Sequence, residues 1–580
     1  VTYGSGYFST LARLASSVGQ LQNVTPWARY MSGASAAEMK YRFGWTHPIF
    51  FSPANPKELL VTAQVVFSST DRGKTWSVLS PDLTRNDPSS EGPSGGPMDL
   101  DQTGAETFPD ISSLAVSPHD ANLIWAGSAD GLVHVTTDHG AHWSAVTPPD
   151  LPQWAQISSI EPSYTSKGGA FLTACRFQWD DYHPYVYKTD DYGAHWTAMT
   201  AGLPPDQYVH VVRQDPREPR PLFAGTRNHV YVSFNGGAEW QPLSLNLPGA
   251  QVRDLAIDAR QGELVAATHG RAFWILDNLA LLEQLARQTQ FGVAEPQLFA
   301  PETAWLSHAY GDEGELVANS GENPAYGASV FFSLPPGYTG KTPVTLTFRD
   351  STGATVRSFA LHLKEKSEKE ISPDEREELD AVHQRALDLR ELTAIQPGSN
   401  LFQWDLRYPP AADVPGFRTL GTDDFPDTGE GPTILPGSYS IVLQYGSQRL
   451  EQPLLVQLDP RLHPTMDDLE ARLALGRQIH TAIDTLDQAV IAAMAARGRL
   501  SRAQRIVVDR EIANLILMKV HSSEADVLYE TRFREQLGFL ANEIESAYER
   551  PTQAEYASFA ELQAEAAAGE ARLQSAITAR

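Results

Sequence analysis

One eight-residue phrase, Ser/Thr-x-Asp/Asn-x-Gly-x-x-Trp, occurs four times in this chain. It reads Ser69-Thr-Asp71-Arg-Gly73-Lys-Thr-Trp76, then Thr136-Thr-Asp138-His-Gly140-Ala-His-Trp143, then Thr189-Asp-Asp191-Tyr-Gly193-Ala-His-Trp196, and last Ser233-Phe-Asn235-Gly-Gly237-Ala-Glu-Trp240. Each copy follows a β-rich run: Leu59–Phe67, Leu123–Val135, Tyr185–Lys188 and Leu222–Val232. The residue types are those of a hairpin tip. The Asp or Asn can bond backbone N–H groups two residues on and close a local turn, the Gly adopts a backbone that a Cβ disfavours, and the Trp buries a large apolar surface. The Trp-to-Trp intervals are 67, 53 and 44 residues. A propeller blade takes about 40–50, so the phrase predicts successive blades, the longer gaps implying insertions.

The phrase resembles the Asp-box, or BNR repeat, of sialidases, two-propeller xyloglucanases and sortilin-type receptors. That resemblance covers residues 45–277 and implies a β-propeller whose boxes lie on the rim, away from the central site. Asp71, Gly73, Trp76, Asp138, Gly140, Trp143, Asp191, Gly193, Trp196, Asn235, Gly237 and Trp240 are therefore read as structural. Further phrases extend the likeness along the chain: Lys40-Tyr-Arg-Phe-Gly-Trp45, Ser80-Pro-Asp-Leu-Thr-Arg-Asn-Asp87, Asp101-Gln-Thr-Gly-Ala-Glu106, Ala267–Asp277 and Phe402–Tyr408. Together they resemble the C-terminal part of large bacterial proteins of the "glycosyl hydrolase, BNR repeat" or sortilin (Vps10)-like group. Membership there rests largely on the repeat.

With 580 residues the chain has room for several domains. The expected fold is mainly β and multidomain: an Asp-box propeller over 1–290, an immunoglobulin-like sandwich with a helical insertion over 291–462, and a helical bundle over 463–580. Blade-like units fall at 45–80, 110–147, 155–200, 205–243 and 250–277, with a blade remnant before them and a Gly/Ser/Pro-rich insertion at 81–109. Five blades and a fragment are fewer than a closed ring usually needs, so part of the propeller is expected from preceding sequence or another chain. Strands at 344–349, 356–363, 401–406, 438–443 and 453–458 suggest the sandwich, interrupted by a helix over Ser372–Ala394 with Pro373 in its first turn. Apolar residues at spacings of three and four from Leu469 to Val490 mark a helix, and capping boxes at Ser501 and Thr552 open others. Helices are expected at 466–497, 502–521, 525–549 and 553–578.

A formal charge of −26, from 71 acidic and 45 basic residues, argues against nucleic acid and anionic membranes as partners. No run of 18 apolar residues is present, so no span is expected, and the N-terminus does not resemble a signal peptide. Cys175 is the only cysteine. Its strand-like setting reads as a packed thiol.

Glycoside hydrolysis needs two carboxyls flanking the scissile bond. The candidates are Asp101, Glu106 and Asp181 as catalytic acids, with Asp110 and Asp180 beside them. Arg176, Arg213, His269 and Arg271 are candidate ligand-binding residues, His269-Gly-Arg271 being read on a Gly-kinked inner strand. Surface salt bridges and turn caps are the competing explanation. His119, His134, His139, His142 and His195 lack metal-ligand spacing. Asp423, Asp424, Asp427 and Glu430 suggest either a Ca²⁺ loop or a solvated acidic loop; no other cofactor is indicated. The leading expectation is a non-catalytic binding or scaffold protein, secreted, periplasmic or at the cell surface, with a polysaccharide, peptide or protein partner. The alternatives are a glycoside hydrolase, sialidase- or xyloglucanase-like, and a subunit docking through its C-terminal helices as a homo- or hetero-oligomer.

Overall fold

The structure is a computed structural model of the whole chain. It describes residues 1–6, 10–15, 17–95, 98, 100–288, 295–307, 321, 324–364, 379–417, 429–518 and 530–578. They form two compact units, Val1–Thr289 and Gln290–Arg580.

The first unit is propeller-like. Six antiparallel meanders follow one another along the chain, each with its strands in sequence order. Sheet I has strands Thr2–Gly6, Thr10–Ala15 and Gln20–Asn23. Sheets II to V are four-stranded and begin with Ile49–Ser52, Ile111–Ser117, Gln156–Pro162 and Val209–Gln214. Sheet VI comprises Gln251–Asp258, Glu263–His269 and Phe273–Leu276. Five apolar clusters each straddle one pair of consecutive sheets. Leu60, Val66, Ile111 and Ile124 join II to III, and Trp125, Val133, Ile157 and Leu172 join III to IV. The core is thus a series of sheet-to-sheet layers.

The repeated phrase fastens these layers. In all four copies the first hydroxyl donates to the Asp or Asn oxygen, at 2.9 Å (Ser69), 2.8 Å (Thr136), 2.9 Å (Thr189) and 2.8 Å (Ser233). The Gly N–H donates back to that hydroxyl. Position four (Arg72, His139, Tyr192, Gly236) and the following Gly are both left-handed, which turns the chain sharply. The Trp indole then reaches the preceding sheet: Nε1 donates to the carbonyls of Val24 (2.9 Å), Leu79 (3.0 Å), Val146 (2.7 Å) and Met199 (2.9 Å). The glycine lies against the same four residues, and a Cβ on Gly140 would sit 2.3 Å from the Leu79 carbonyl oxygen. Glycine and tryptophan therefore clasp one residue of the neighbouring sheet between them.

The second unit pairs a three-stranded sheet (Gln297–Leu298, Ala328–Leu334, Gly398–Trp404) with a six-stranded one (Ala304–Leu306, Val344–Arg349, Thr355–Leu363, Ala394–Ile395, Gly437–Tyr445, Gln448–Leu458). Phe332, Phe348, Phe402 and Trp404 fill the core between them, with Phe348 stacked on Trp404 at 4.1 Å. Two short strands pair in parallel with their neighbours, Ala304–Leu306 and Ala394–Ile395. Helices follow at Met466–Ala496, Arg502–Leu515, Phe533–Glu545 and Gln553–Thr578. Leu469 and Tyr548 belong to the core of the sheets, so the helices continue that core. The helix expected at Ser372–Ala394 spans Ala381–Leu392 instead. Asp380 caps it by accepting the His383 N–H, and residues 365–378 lie outside those described. Among the described residues no helix is long and apolar enough to cross a membrane.

Candidate binding cleft at the blade hub

The first strands of sheets II to VI line one cleft of about 720 Å³. Each of those from sheets III to VI carries a register shift that leaves one residue unpaired: Ser112, Ser158, His210 and Arg253. Such bulges bend a strand and re-aim a side chain, and here all four side chains are polar. They stitch neighbouring sheets together. Ser112 Oγ donates to the Ile157 carbonyl at 2.7 Å, Ser158 Oγ to the Val209 carbonyl at 3.4 Å, and His210 Nε2 lies 2.6 Å from Gln251 Nε2 and 3.5 Å from Arg253 Nη1. Burial pushes His210 down to about 3. Its imidazole is therefore neutral and accepts from these donors.

One layer along, Arg213 crosses three sheets. Its Nε donates to the Leu255 carbonyl (2.9 Å), Nη1 to Ser159 Oγ (2.9 Å), and Nη2 to Asp254 Oδ1 (2.8 Å). Nη1 also lies 3.5 Å from Glu161 Oε2. Glu161 is 14% exposed and Asp254 59%. Burial pushes Glu161 up to about 7 against the pull of Arg213, and the nearby Asp254 adds to the rise. Tyr164 lies in the same cleft. The cleft thus offers hydroxyls, one near-neutral carboxyl, one exposed carboxylate and two guanidiniums.

Of the residues singled out in the sequence, Arg213 is in this cleft and the others are not among its lining residues. Arg271 is exposed beyond the end of the middle strand of sheet VI, and His269 is that strand's exposed last residue; neither is on an inner strand, because the phrase follows the second strand of its meander. Arg176 pairs with Asp181 at 3.0 Å and stacks over Trp179. Asp181 also accepts from Tyr185 Oη at 2.8 Å, and its carboxyl is held low against its own burial by these bonds. Glu106 closes its own turn on Thr103, accepting from N (2.7 Å) and Oγ1 (2.7 Å), and these bonds keep it low too. Asp101 is exposed, and its carbonyl accepts from Ser94 Oγ. Glu106 thus serves a turn and Asp181 an ion pair. Asp423, Asp424 and Asp427 lie outside the described residues, while Glu430 pairs with Arg385 at 2.7 Å. Among the described residues no cluster of three or more metal-ligating side chains occurs.

The insertion and its flanks form a second polar centre. Arg42, 5% exposed, donates from Nε to the Pro109 carbonyl (3.0 Å) and from Nη2 to Asp82 (2.6 Å) and Thr84 (3.0 Å), and pairs with Glu91 at 3.2 Å. Asp110 is buried beside Gly44, whose Cβ would fall 1.7 Å from Asp110 Oδ2. Burial, with Asp130 nearby, pushes Asp110 up to about 8. Phrases far apart in sequence, around Arg42, Asp82 and Asp110, thus meet in one network.

Glu161, Asp254, Ser112, Ser158 and Arg253 were not legible as a site. Each sits in an ordinary strand pattern, and a bulge leaves no fixed sequence mark. The Pro-containing turns at Phe51–Pro56, Val116–Asp120 and Gln214–Pro219 do mark the ends of the first strands of sheets II, III and V in the sequence, but not which residues on them face the cleft.

No family model matches the chain, and no curated protein matches it. Among solved structures, an ancestral GH74 enzyme is similar at 14% identity and TM-score 0.31, over 59% of this chain and 41% of its own. The GH74 xyloglucanase from Xanthomonas campestris is similar at 13% identity and TM-score 0.30, over 53% of this chain and 45% of its own. The β-propeller domain of Cps50 (Swd1) from Myceliophteria thermophila is similar at 11% identity and TM-score 0.29, over 42% of this chain and 68% of its own. The chain spans less than half the length of the two GH74 proteins.

Proposed function

We propose that this chain is an extracytoplasmic, non-catalytic binding protein built on an Asp-box propeller, whose hub cleft holds a hydroxyl-rich ligand, a carbohydrate chain. The observation that carries this reading is the placement of Arg213 between Glu161 and Asp254, bonded to Asp254 and close to Glu161. Glycoside hydrolysis needs the scissile bond to lie between an acid and a base or nucleophile. Here a guanidinium occupies that space and ties both carboxyls to the scaffold. The serine hydroxyls, Tyr164, Arg253 and Asp254 remain to hydrogen-bond a polar ligand. The balance of two acids and two arginines suits a neutral sugar better than a strongly charged one.

One observation favours hydrolysis as a second reading: Glu161, pushed up to about 7, is poised as a general acid at neutral pH. Two measurements separate the readings. The intact chain is titrated with neutral oligosaccharides identified on a glycan array, and release of reducing ends is followed with the same sugars. Binding reads as expected if Arg253→Ala weakens it, Glu161→Gln retains it, and no reducing ends appear. Turnover by the wild-type chain that Glu161→Gln abolishes overturns the non-catalytic reading in favour of the second. Sugar binding indifferent to Arg253→Ala removes the ligand from the hub.

A further inference from the structure

The last element of the first unit is the helix Leu279–Ala286. Leu279 is buried among Val211 and Phe223 of sheet V and Leu255 and Leu264 of sheet VI, and Leu282 packs beside it. The Leu279 N–H donates to the Gly262 carbonyl at 2.8 Å. A second contact is polar. It is made to residues 215–220, the turn between the first and second strands of sheet V.

Asp215 shapes that turn. Its Oδ1 accepts the N–H groups of Arg217 (2.8 Å) and Glu218 (3.3 Å). The residue is 0% exposed, and its Oδ2 meets no N–H or hydroxyl donor. Leaving a buried carboxylate oxygen without a donor is costly. What lies against it is a second carboxyl, that of Glu283 on the helix, itself 7% exposed. Arg217 Nε and Nη2 both reach Glu283 Oε1 at 2.6 Å. One guanidinium thus faces two buried carboxyls. Two carboxylates in one buried site repel, and the pair keeps a proton between them. A protonated Glu283 supplies the donor that Asp215 Oδ2 lacks. Burial, and then Asp215, push Glu283 up, against the pull of Arg217.

We propose that one proton held between Glu283 and Asp215 latches this helix to sheet V, and that the latch loosens when the proton leaves. The helix is where the chain leaves the first unit, so the device sets how firmly that exit is held. It goes beyond the proposed function and does not rest on it. The sign follows from linkage. The docked Glu283 keeps its proton above the value of a free Glu, about 4.3. Docking is therefore strongest below that pH and weakens above it, by at most about tenfold per pH unit for one proton. The surrounding charges respond differently. Glu218 pairs with Arg220 (2.7 Å) and with Arg287 at the helix end (2.8 Å). These pairs hold it down to about 2, so it stays ionised throughout. Asp258, on the adjoining turn of sheet VI, is held low by the N–H groups of Arg260 and Gln261. Asp277 and Glu263 are pushed up by burial and share the sign of Glu283, so a substitution at Glu283 must separate them from it.

Hydrogen exchange of the intact chain, read by mass spectrometry and corrected for the intrinsic pH dependence of exchange, tests the latch. The helix should open locally, with less protection than the strand Leu222–Thr226 of sheet V. Its protection should fall as pH rises from about 4 to about 8, by up to about tenfold per pH unit. Glu283→Gln keeps an acceptor for Arg217 and carries a permanent N–H for Asp215 Oδ2, so its helix should stay protected at every pH. Asp215→Asn places the permanent donor on the other partner and should flatten the profile likewise. A level wild-type profile, a slope that survives Glu283→Gln, or a helix that exchanges only together with Leu222–Thr226 overturns the proposal.

Discussion

Replacing Gly140 by Ala tests the clasp directly. Gly140 has φ +91, and a Cβ there would lie 2.3 Å from the backbone oxygen of Leu79 in the preceding sheet. Holding an L-residue in left-handed backbone costs roughly 1–2 kcal/mol. The carbonyl that must retreat is the one that accepts Trp143 Nε1 at 3.0 Å, and leaving that acceptor unpaired costs about 1–3 kcal/mol more. The expected loss is therefore about 2–5 kcal/mol. The fourth phrase supplies the controls. Gly236 has φ +69 and nothing within 4 Å of its Cβ position, so Gly236→Ala should show the backbone cost alone, about 1–2 kcal/mol. Gly237 has φ +91 and meets the terminal methyl of Met199, a flexible group that can swing aside, so Gly237→Ala should fall between the two. Urea unfolding followed by tryptophan fluorescence gives the three values as shifts in midpoint at constant slope. If Gly140→Ala costs no more than Gly236→Ala, the glycine is required by its turn alone and the inter-sheet clasp is wrong.

Three further outcomes follow from the buried charges. Asp110 keeps a proton in the folded chain up to about pH 8, while an unfolded Asp releases it near pH 4. The folded state binds the extra proton across that window, so stability falls as pH rises from about 4 to about 8, and Asp110→Asn should flatten that slope in thermal melts. Glu161, pushed up to about 7, acts with the same sign, so Glu161→Gln should remove a second part of the slope, ending near pH 7 instead. In the second unit Arg534 and Asp487 are buried together at 2.9 Å, with side chains 5% and 1% exposed. Arg534→Met alone should cost about 3–5 kcal/mol, whereas Arg534→Met with Asp487→Leu should recover most of it; chemical unfolding of the two variants compares them, and equal losses would show that the stranded carboxylate is not the cause.

The sequence by itself determined the blades. The hairpin turn is local: hydroxyl, carboxylate or amide, and glycine lie within one short phrase, and their bonds to one another need no distant partner to be anticipated. The helical stripe from Leu469 to Val490 is local in the same way, and so are the caps at Ser501 and Thr552. Only the tertiary structure decided where each indole lands, which strands face the hub, and which charges meet. Arg213 is one candidate arginine among several in the sequence until its neighbours Glu161 and Asp254, 52 and 41 positions away, are brought beside it by two inter-sheet packings. Asp101, Glu106 and Asp181 stood out because acids in loops are conspicuous in a sequence, yet Glu106 and Asp181 are held by nearby turns and ion pairs. Strand patterns report which residues are buried, and bulges then choose which of them turn toward the cleft. That choice is made by contacts between sheets, which no single stretch of chain contains.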